Sequence, residues 1–394
     1  MTAPTRRAAV ALSASVALAA TLTGTVTLAT PQTADAATCR ATPTLLSRTP
    51  TVTQLAGGAT ARIWDTGPTP SNPQASTRIV AVTVPAASAA NPRVRAAANL
   101  NTARIPSAYF LDAPTAVVMV NGGVFNPTVG AMPALPQMTS GWLRKARSTH
   151  DPAIVTAKDG RSLPSRLWIT GSVSATGHGY QAVTGLNWQS LSGSGINAYT
   201  PSWGKARRPY GTADVVVAGG KVVAVRTGTT RGQTAASGQT ILTATGTAGS
   251  WLASFRIGTS VSISYHASTD APFPVYESVG RGARFLNQGV KNGGTCTSRD
   301  ELLRPRTAIG WTKSGDLLFV TASGRATVDG VRYGGATIHQ MADYMATLGS
   351  WDATNLDGGG STTMVARTAS GKVIGLDRAG TEWQRAVPNV FSAG

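Results

Sequence analysis

Short apolar or alternating runs closed by glycine-rich turns recur from Arg78 to the C-terminus, and they restrict the chain to a fold built from sheets. Arg78–Val84 alternates, residues 115–120 form an apolar run ending in Asn121-Gly122-Gly123, and residues 166–170 make another short strand. Residues 211–227 read as a hairpin in which 213–217 and 222–225 flank Ala218-Gly219-Gly220-Lys221. Further strands are predicted at Gln239–Ala244, 261–265, 307–311 and 317–320, with one earlier at 61–64. Only two stretches read as helical. Residues 90–100 are alanine-rich, and 337–348 place Ile338, Met341, Ala342, Met345 and Leu348 on one face before Gly349. The expected fold is α+β, a β-rich mixed single domain with few helices.

Composition narrows the function. The chain carries a formal charge of +18 although only 13% of it is charged, about half the usual quarter. It is basic through a shortage of acids. Of its 35 basic residues 28 are Arg, and no basic run is interleaved with aromatics, so nucleic acid is not an expected partner. Residues 1–36 read as a signal peptide, with Arg6 and Arg7 before an apolar stretch at 8–20 and Ala34-Asp35-Ala36 as the cleavage site. No later apolar run is long enough for a membrane helix, so the expectation is a secreted, extracellular protein without a membrane span. Residues 37–79 form a Thr-, Pro- and Gly-rich lead-in, and 80–394 read as one catalytic domain. Two cysteines in an exported chain, Cys39 and Cys296, are most simply one disulfide. The competing reading, a catalytic thiol, finds no neighbouring His in the sequence.

Much familiar chemistry is missing. There is no H-E-x-x-H, C-x-x-C, Walker A or G-x-S-x-G, and only His150, His178, His266 and His339 are available, which disfavours zinc and triad mechanisms. The informative segment is Asn355-Leu356-Asp357-Gly358-Gly359-Gly360-Ser361-Thr362-Thr363-Met364-Val365. Three glycines remove every Cβ from a turn, so amides can gather on an anion while Ser361 and Thr362 add hydroxyl donors. A carboxylate is repelled by a phosphate, so Asp357 should face a sugar carbon, sugar hydroxyls or a metal instead. The same string also fits a plain glycine hairpin. Asn121-Gly122-Gly123 offers an amide at a strand end, or an Asn-Gly hairpin turn. Arg306, in Arg304-Pro305-Arg306-Thr307-Ala308-Ile309-Gly310, suits bidentate phosphate recognition or simple solvation at a strand start.

Taken together, Val120-Asn121-Gly122-Gly123-Val124-Phe125-Asn126-Pro127, Pro305-Arg306-Thr307-Ala308-Ile309-Gly310 and the Asn355 to Met364 string resemble the phosphodiester glycosidase family. Weaker echoes follow at Ala198-Tyr199-Thr200-Pro201, Gly324-Arg325 and Arg385-Ala386-Val387-Pro388-Asn389, so the resemblance spans roughly residues 80 to 391. It departs from the family at Val124, where an aromatic is common, and at Ala322-Ser323-Gly324-Arg325, which lacks an Asp before Gly-Arg. The resemblance implies a hydrolase that cleaves a sugar 1-phosphodiester at the anomeric carbon to give free sugar and a phosphomonoester. It implies catalytic roles for Asp357 and Arg306 and substrate contacts for Asn121, Gly122, Gly358, Gly359, Gly360, Ser361 and Thr362. Glu382 is the second candidate carboxylate. No cofactor is required by this chemistry and no metal ligands are assigned, although a divalent cation is compatible with it. The expected partner is a phosphate-linked cell-wall glycan or another sugar 1-phosphodiester. Two alternatives stand beside this reading: a metal-assisted phosphodiesterase attacking phosphorus, and a non-catalytic protein that binds anionic wall glycan.

Overall fold

The computed structural model describes residues 39–65, 77–86, 91–191, 195–230, 232–292, 296, 300–328, 331–377 and 384–394, with backbone alone at 229–230, 324–328 and 331–333. The expected signal peptide and Glu382 lie outside the described residues. From Cys39 onward the chain forms one compact, β-rich unit containing three helices among the described residues. Two sheets stack to make the part that concerns function. The first has nine strands, with Arg78–Val84, Leu317–Val328, Arg306–Trp311 and Asp352–Asn355 consecutive at its centre. The second has five, in the order Val373–Gly375, Met364–Arg367, Val118–Asn121, Asn389–Ala393 and Arg93–Ala96.

The strand period of two explains how the layers meet. Val80, Val82, Ile309 and Phe319 turn toward Val118, Val120, Met364 and Phe391 of the five-stranded sheet and form a dry core between them. Their alternates Ile79, Ala81, Ala308 and Val320 face Met341, Ala342 and Met345 of helix α3 (Ile338–Thr347), so the central strands are buried on both faces and read as near-continuous apolar runs. On the outer face of the five-stranded sheet, helix α1 (Pro106–Leu111) packs Tyr109 and Phe110 against Met119, Val365 and Val390. An eleven-stranded sheet drawn from residues 137 to 280 supplies a third core, closed by Leu252 of helix α2 (Gly246–Ala253) and by Phe255.

Most expected elements are present: the hairpin at 211–227 is Gly211–Ala218 against Lys221–Thr230, and α3 starts on a capping box between Thr337 and Gln340. The helix expected at 90–100 is not. Arg93–Ala96 is an edge strand paired with Asn389–Ala393, because cross-strand pairing outweighs the helical preference of its alanines. Within the expected lead-in, Thr51–Gln54 and Thr60–Asp65 join the nine-stranded sheet beside Arg78–Val84. Cys39 and Cys296 form a disulfide, with Cα atoms 5.1 Å apart, and His339 lies next to the two sulfurs. No described helix is long and apolar enough to cross a membrane.

Candidate active site

The glycine-rich turn bridges two sheets. Asp352–Asn355 belongs to the nine-stranded sheet and pairs with Arg306–Trp311, whereas Met364–Arg367 belongs to the five-stranded sheet and pairs with Val118–Asn121. The plain hairpin reading of the string is therefore overturned. Asn121-Gly122-Gly123 is not a hairpin turn either, since the neighbours of its strand are Met364–Arg367 and Asn389–Ala393. The two motifs meet because each ends a strand at the same edge of the sandwich.

Asn121 is the clamp at that meeting point. It is fully buried, and its Nδ2 donates to the Asp357 carbonyl at 2.8 Å. Its Oδ1 accepts from the Thr307 hydroxyl at 2.7 Å and from the Thr363 amide at 3.2 Å. With both ends of its amide engaged, Asn121 positions the turn rather than reaching a ligand. Gly122 is equally committed: its carbonyl accepts from the Asp357 amide at 3.0 Å, and its amide donates to the Asn389 carbonyl at 2.9 Å. A Cβ there would stand 2.0 Å from Asn389 Oδ1, so only glycine fits. Asn389 in turn accepts from the Gly123 amide and donates to Gln137 Oε1 at 2.7 Å.

The turn uses most of its own amides. Those of Gly359, Ser361 and Thr362 donate to the carbonyls of Pro305, Gly358 and Gly359, and the Gly358 amide acts on the Asp357 carboxyl. The anion cradle expected from three glycines is thus largely consumed internally. Gly358 is required because a Cβ would lie 2.6 Å from the Pro305 carbonyl oxygen. Ser361 and Thr362 are buried within the turn. The Asp357 side chain is half-buried, and burial pushes its carboxyl above the ordinary value. The Ser361 hydroxyl, the Gly358 amide and the positive charge of Arg385 pull against that shift.

Arg306 is not beside Asp357. Thr307 points to Asn121, so the two-residue period sends Arg306 to the opposite face of the strand. There its Nε donates to the Ala336 carbonyl at 3.1 Å and its Nη2 to the Leu302 carbonyl at 3.2 Å. Among the described residues, the cation that overlooks the turn is Arg385: its guanidinium carbon lies 3.6 Å from where a Cβ on Gly360 would be. It sits 6.0 Å above the Phe125 ring and acts on Asp357 through its charge. Arg385 and Phe125 stand in two of the family-like motifs, and what the sequence hid was that Arg385 meets both Phe125 and Asp357. Gln137 carried no signal in the sequence, and Thr307 stood in a quoted motif without a role of its own. Among the described residues, the His, Cys, Asp and Glu side chains grouped closely enough to hold an ion are Cys39, Cys296 and His339, whose sulfurs are bonded to each other.

An aspartate whose carboxyl is raised by burial, an arginine acting on it and a glycine turn thus gather at one edge of the sandwich. Residues 211–393 match the family model described as phosphodiester glycosidase, a hydrolase class. The chain's resemblance to that family is thereby shown over a segment that holds Asp357 and Arg385, with Asn121 preceding it. No curated protein matches the chain. Among solved structures, a hypothetical protein of Synechocystis superposes with a TM-score of 0.64 at 21% identity, covering 88% of this chain and 64% of that one. The chain thus spans less than two thirds of that protein's length. A Burkholderia pseudomallei protein described as exported gives a TM-score of 0.62 at 20% identity, covering 81% and 74%. These likenesses are of fold. The catalytic domain of zebrafish N-acetylglucosamine-1-phosphodiester alpha-N-acetylglucosaminidase, auto-inhibited by its pro-peptide, matches at a TM-score of 0.44 and 14% identity over 89% and 90%, too loosely to add weight.

Proposed function

We propose that this protein hydrolyses a sugar 1-phosphodiester at the anomeric carbon, releasing free sugar and a phosphomonoester, and that it does so outside the cytoplasm on a phosphate-linked glycan. The observation that carries the reading is Asp357 itself, a carboxyl raised by burial, clamped through Asn121 and faced by Arg385. Ordinary glycosidases pair two carboxyl groups because an alkoxide must be protonated as it leaves. A phosphomonoester, whose second pKa is about 6, departs with far less help. One carboxylate therefore suffices at C1, acting as nucleophile or as base toward water, while the Arg385 guanidinium stabilises the departing phosphoryl oxygens. Arg306 does not take that part, being turned to the opposite face. Phe125 offers a ring beside Arg385 against which a sugar can lie. A disulfide persists in oxidising compartments, which supports export.

The test is a panel of sugar 1-phosphodiesters assayed for reducing sugar and phosphomonoester together. Release of both by the native chain and of neither by Asp357→Asn is expected. Equal release by the two proteins would remove Asp357 from the reaction.

A further inference from the structure

Three arginines converge on the far side of strand Asn389–Ala393 from Asn121. Arg93 and Arg95 are two residues apart on the edge strand, so their side chains leave the same face. Arg144 reaches in from strand Trp142–Arg147. Its Nη2 donates to the carbonyls of Ala97 and Ala98, and its Nη1 lies 3.5 Å from the Thr139 hydroxyl. The Arg93 guanidinium lies 5.7 Å over the Tyr276 ring and 3.9 Å from Glu277 Oε1, too far for a hydrogen bond. Glu277, which also feels the charge of Arg95, has its other oxygen engaged by the Val94 amide. One carboxyl thus answers the charges of both Arg93 and Arg95. Each arginine moreover keeps a buried N–H that finds no acceptor among the described residues: Nη1 of Arg93, Nε of Arg95 and Nε of Arg144. Buried donors are almost always paired, so three orphans in one place describe a site for an anion.

Register relates this cluster to Asp357. Val390 pairs with Asn121 on one side and with Arg95 on the other. Arg95 and Asn121 therefore lie two strand spacings apart, about 10 Å. Trp142, paired with Thr139 and 76% exposed, stands two residues before Arg144 on the same strand and so on the same face as it.

We propose that Arg93, Arg95 and Arg144 form a second anion subsite that holds a further phosphoryl group of an extended polyanionic substrate, with Trp142 as a platform for a sugar ring. The anion site stands on the geometry alone; its assignment to the substrate rests on the function proposed above. Tripolyphosphate titrated into the full chain is expected to bind about tenfold or more weakly to Arg95→Ala, the loss of one charge-assisted donor set, and also to weaken for Arg95→Lys, which keeps the charge and loses Nε. Unchanged binding in both variants would overturn the site. On turnover, Arg95→Ala should lower kcat/KM about tenfold or more for an oligomer with several phosphodiester links, and less than twofold for a single sugar 1-phosphodiester. Equal losses on both substrates, or none on the oligomer while tripolyphosphate binding falls, would overturn the assignment to an extended substrate. If the native chain turns over neither substrate, the proposed activity fails and the tripolyphosphate titration still decides the subsite.

Discussion

Asp214 is fully buried and Asp357 half-buried, and their surroundings differ in kind. Asp214, 1% exposed in the eleven-stranded sheet, accepts from Arg208 Nη2 at 2.8 Å and from the Thr243 hydroxyl at 2.6 Å. Arg208 is itself completed by Thr243, the Gln233 carbonyl and the Tyr199 ring. Every polar atom in that group has its partner. Among the described residues Asp357 forms no such ion pair: a hydroxyl, one amide and a more distant arginine compensate it only in part, and its carboxyl is raised. A fully answered buried charge belongs to the fold, whereas a partly answered one at a turn is available for chemistry.

Substitution separates the two regions. Asp357→Asn should lower kcat/KM about a thousandfold or more, a loss of at least about 4 kcal/mol in transition-state stabilisation, in a steady-state assay of sugar release. Asp214→Asn should do the reverse, costing about 3 to 5 kcal/mol of stability by leaving Arg208 buried without its partner, while the folded fraction keeps its kcat/KM. A denaturation curve with the assay normalised to folded protein checks this. Arg385→Ala should cost about a hundredfold in kcat/KM with little change in melting temperature, since the side chain is exposed. Arg306→Ala, on the opposite face, should spare the chemistry. Arg306→Ala losing more activity than Arg385→Ala would reverse the assignment of the phosphate-facing cation.

The smallest effects concern pH and stability. Because the folded pKa of Asp357 is raised, the folded chain holds that proton to a higher pH than the unfolded chain, and ionising it costs stability as pH rises through the folded value. Asp357→Asn should therefore melt at the same or a slightly higher temperature at neutral pH. The acid limb of kcat/KM should lie above the ordinary aspartate value of about 3.9. A limb at or below that value would make Asp357 an ordinary solvated acid and dissolve the contrast with Asp214.

What was legible in the sequence follows the same physics. The Asn355 to Met364 string was readable through its resemblance to the phosphodiester glycosidase family, since on spacing alone it fitted a glycine hairpin equally well, and Arg385-Ala386-Val387-Pro388-Asn389 entered only as a weaker echo of that resemblance. The face taken by Arg306 was not legible because the period of two tells which residues alternate and not which of them turn toward the glycine turn; that depends on Thr307 meeting Asn121, 186 residues away. Asn121 was read as a ligand-facing amide because its acceptors and donors come from strands distant in the chain. Residues 90–100 looked helical because propensity is local and strand pairing is not. Helices α1 and α2 are too short to leave a periodic signature, and α2 contains Gly246 and Gly249.

Hydrolysis in water enriched in oxygen-18, followed by mass analysis of both products, tests the central claim most directly. Attack at the anomeric carbon places the label in the released sugar and leaves the phosphomonoester unlabelled. Label found in the phosphomonoester, with the sugar unlabelled, would mean that water attacks phosphorus, and Asp357 would lose the role assigned to it.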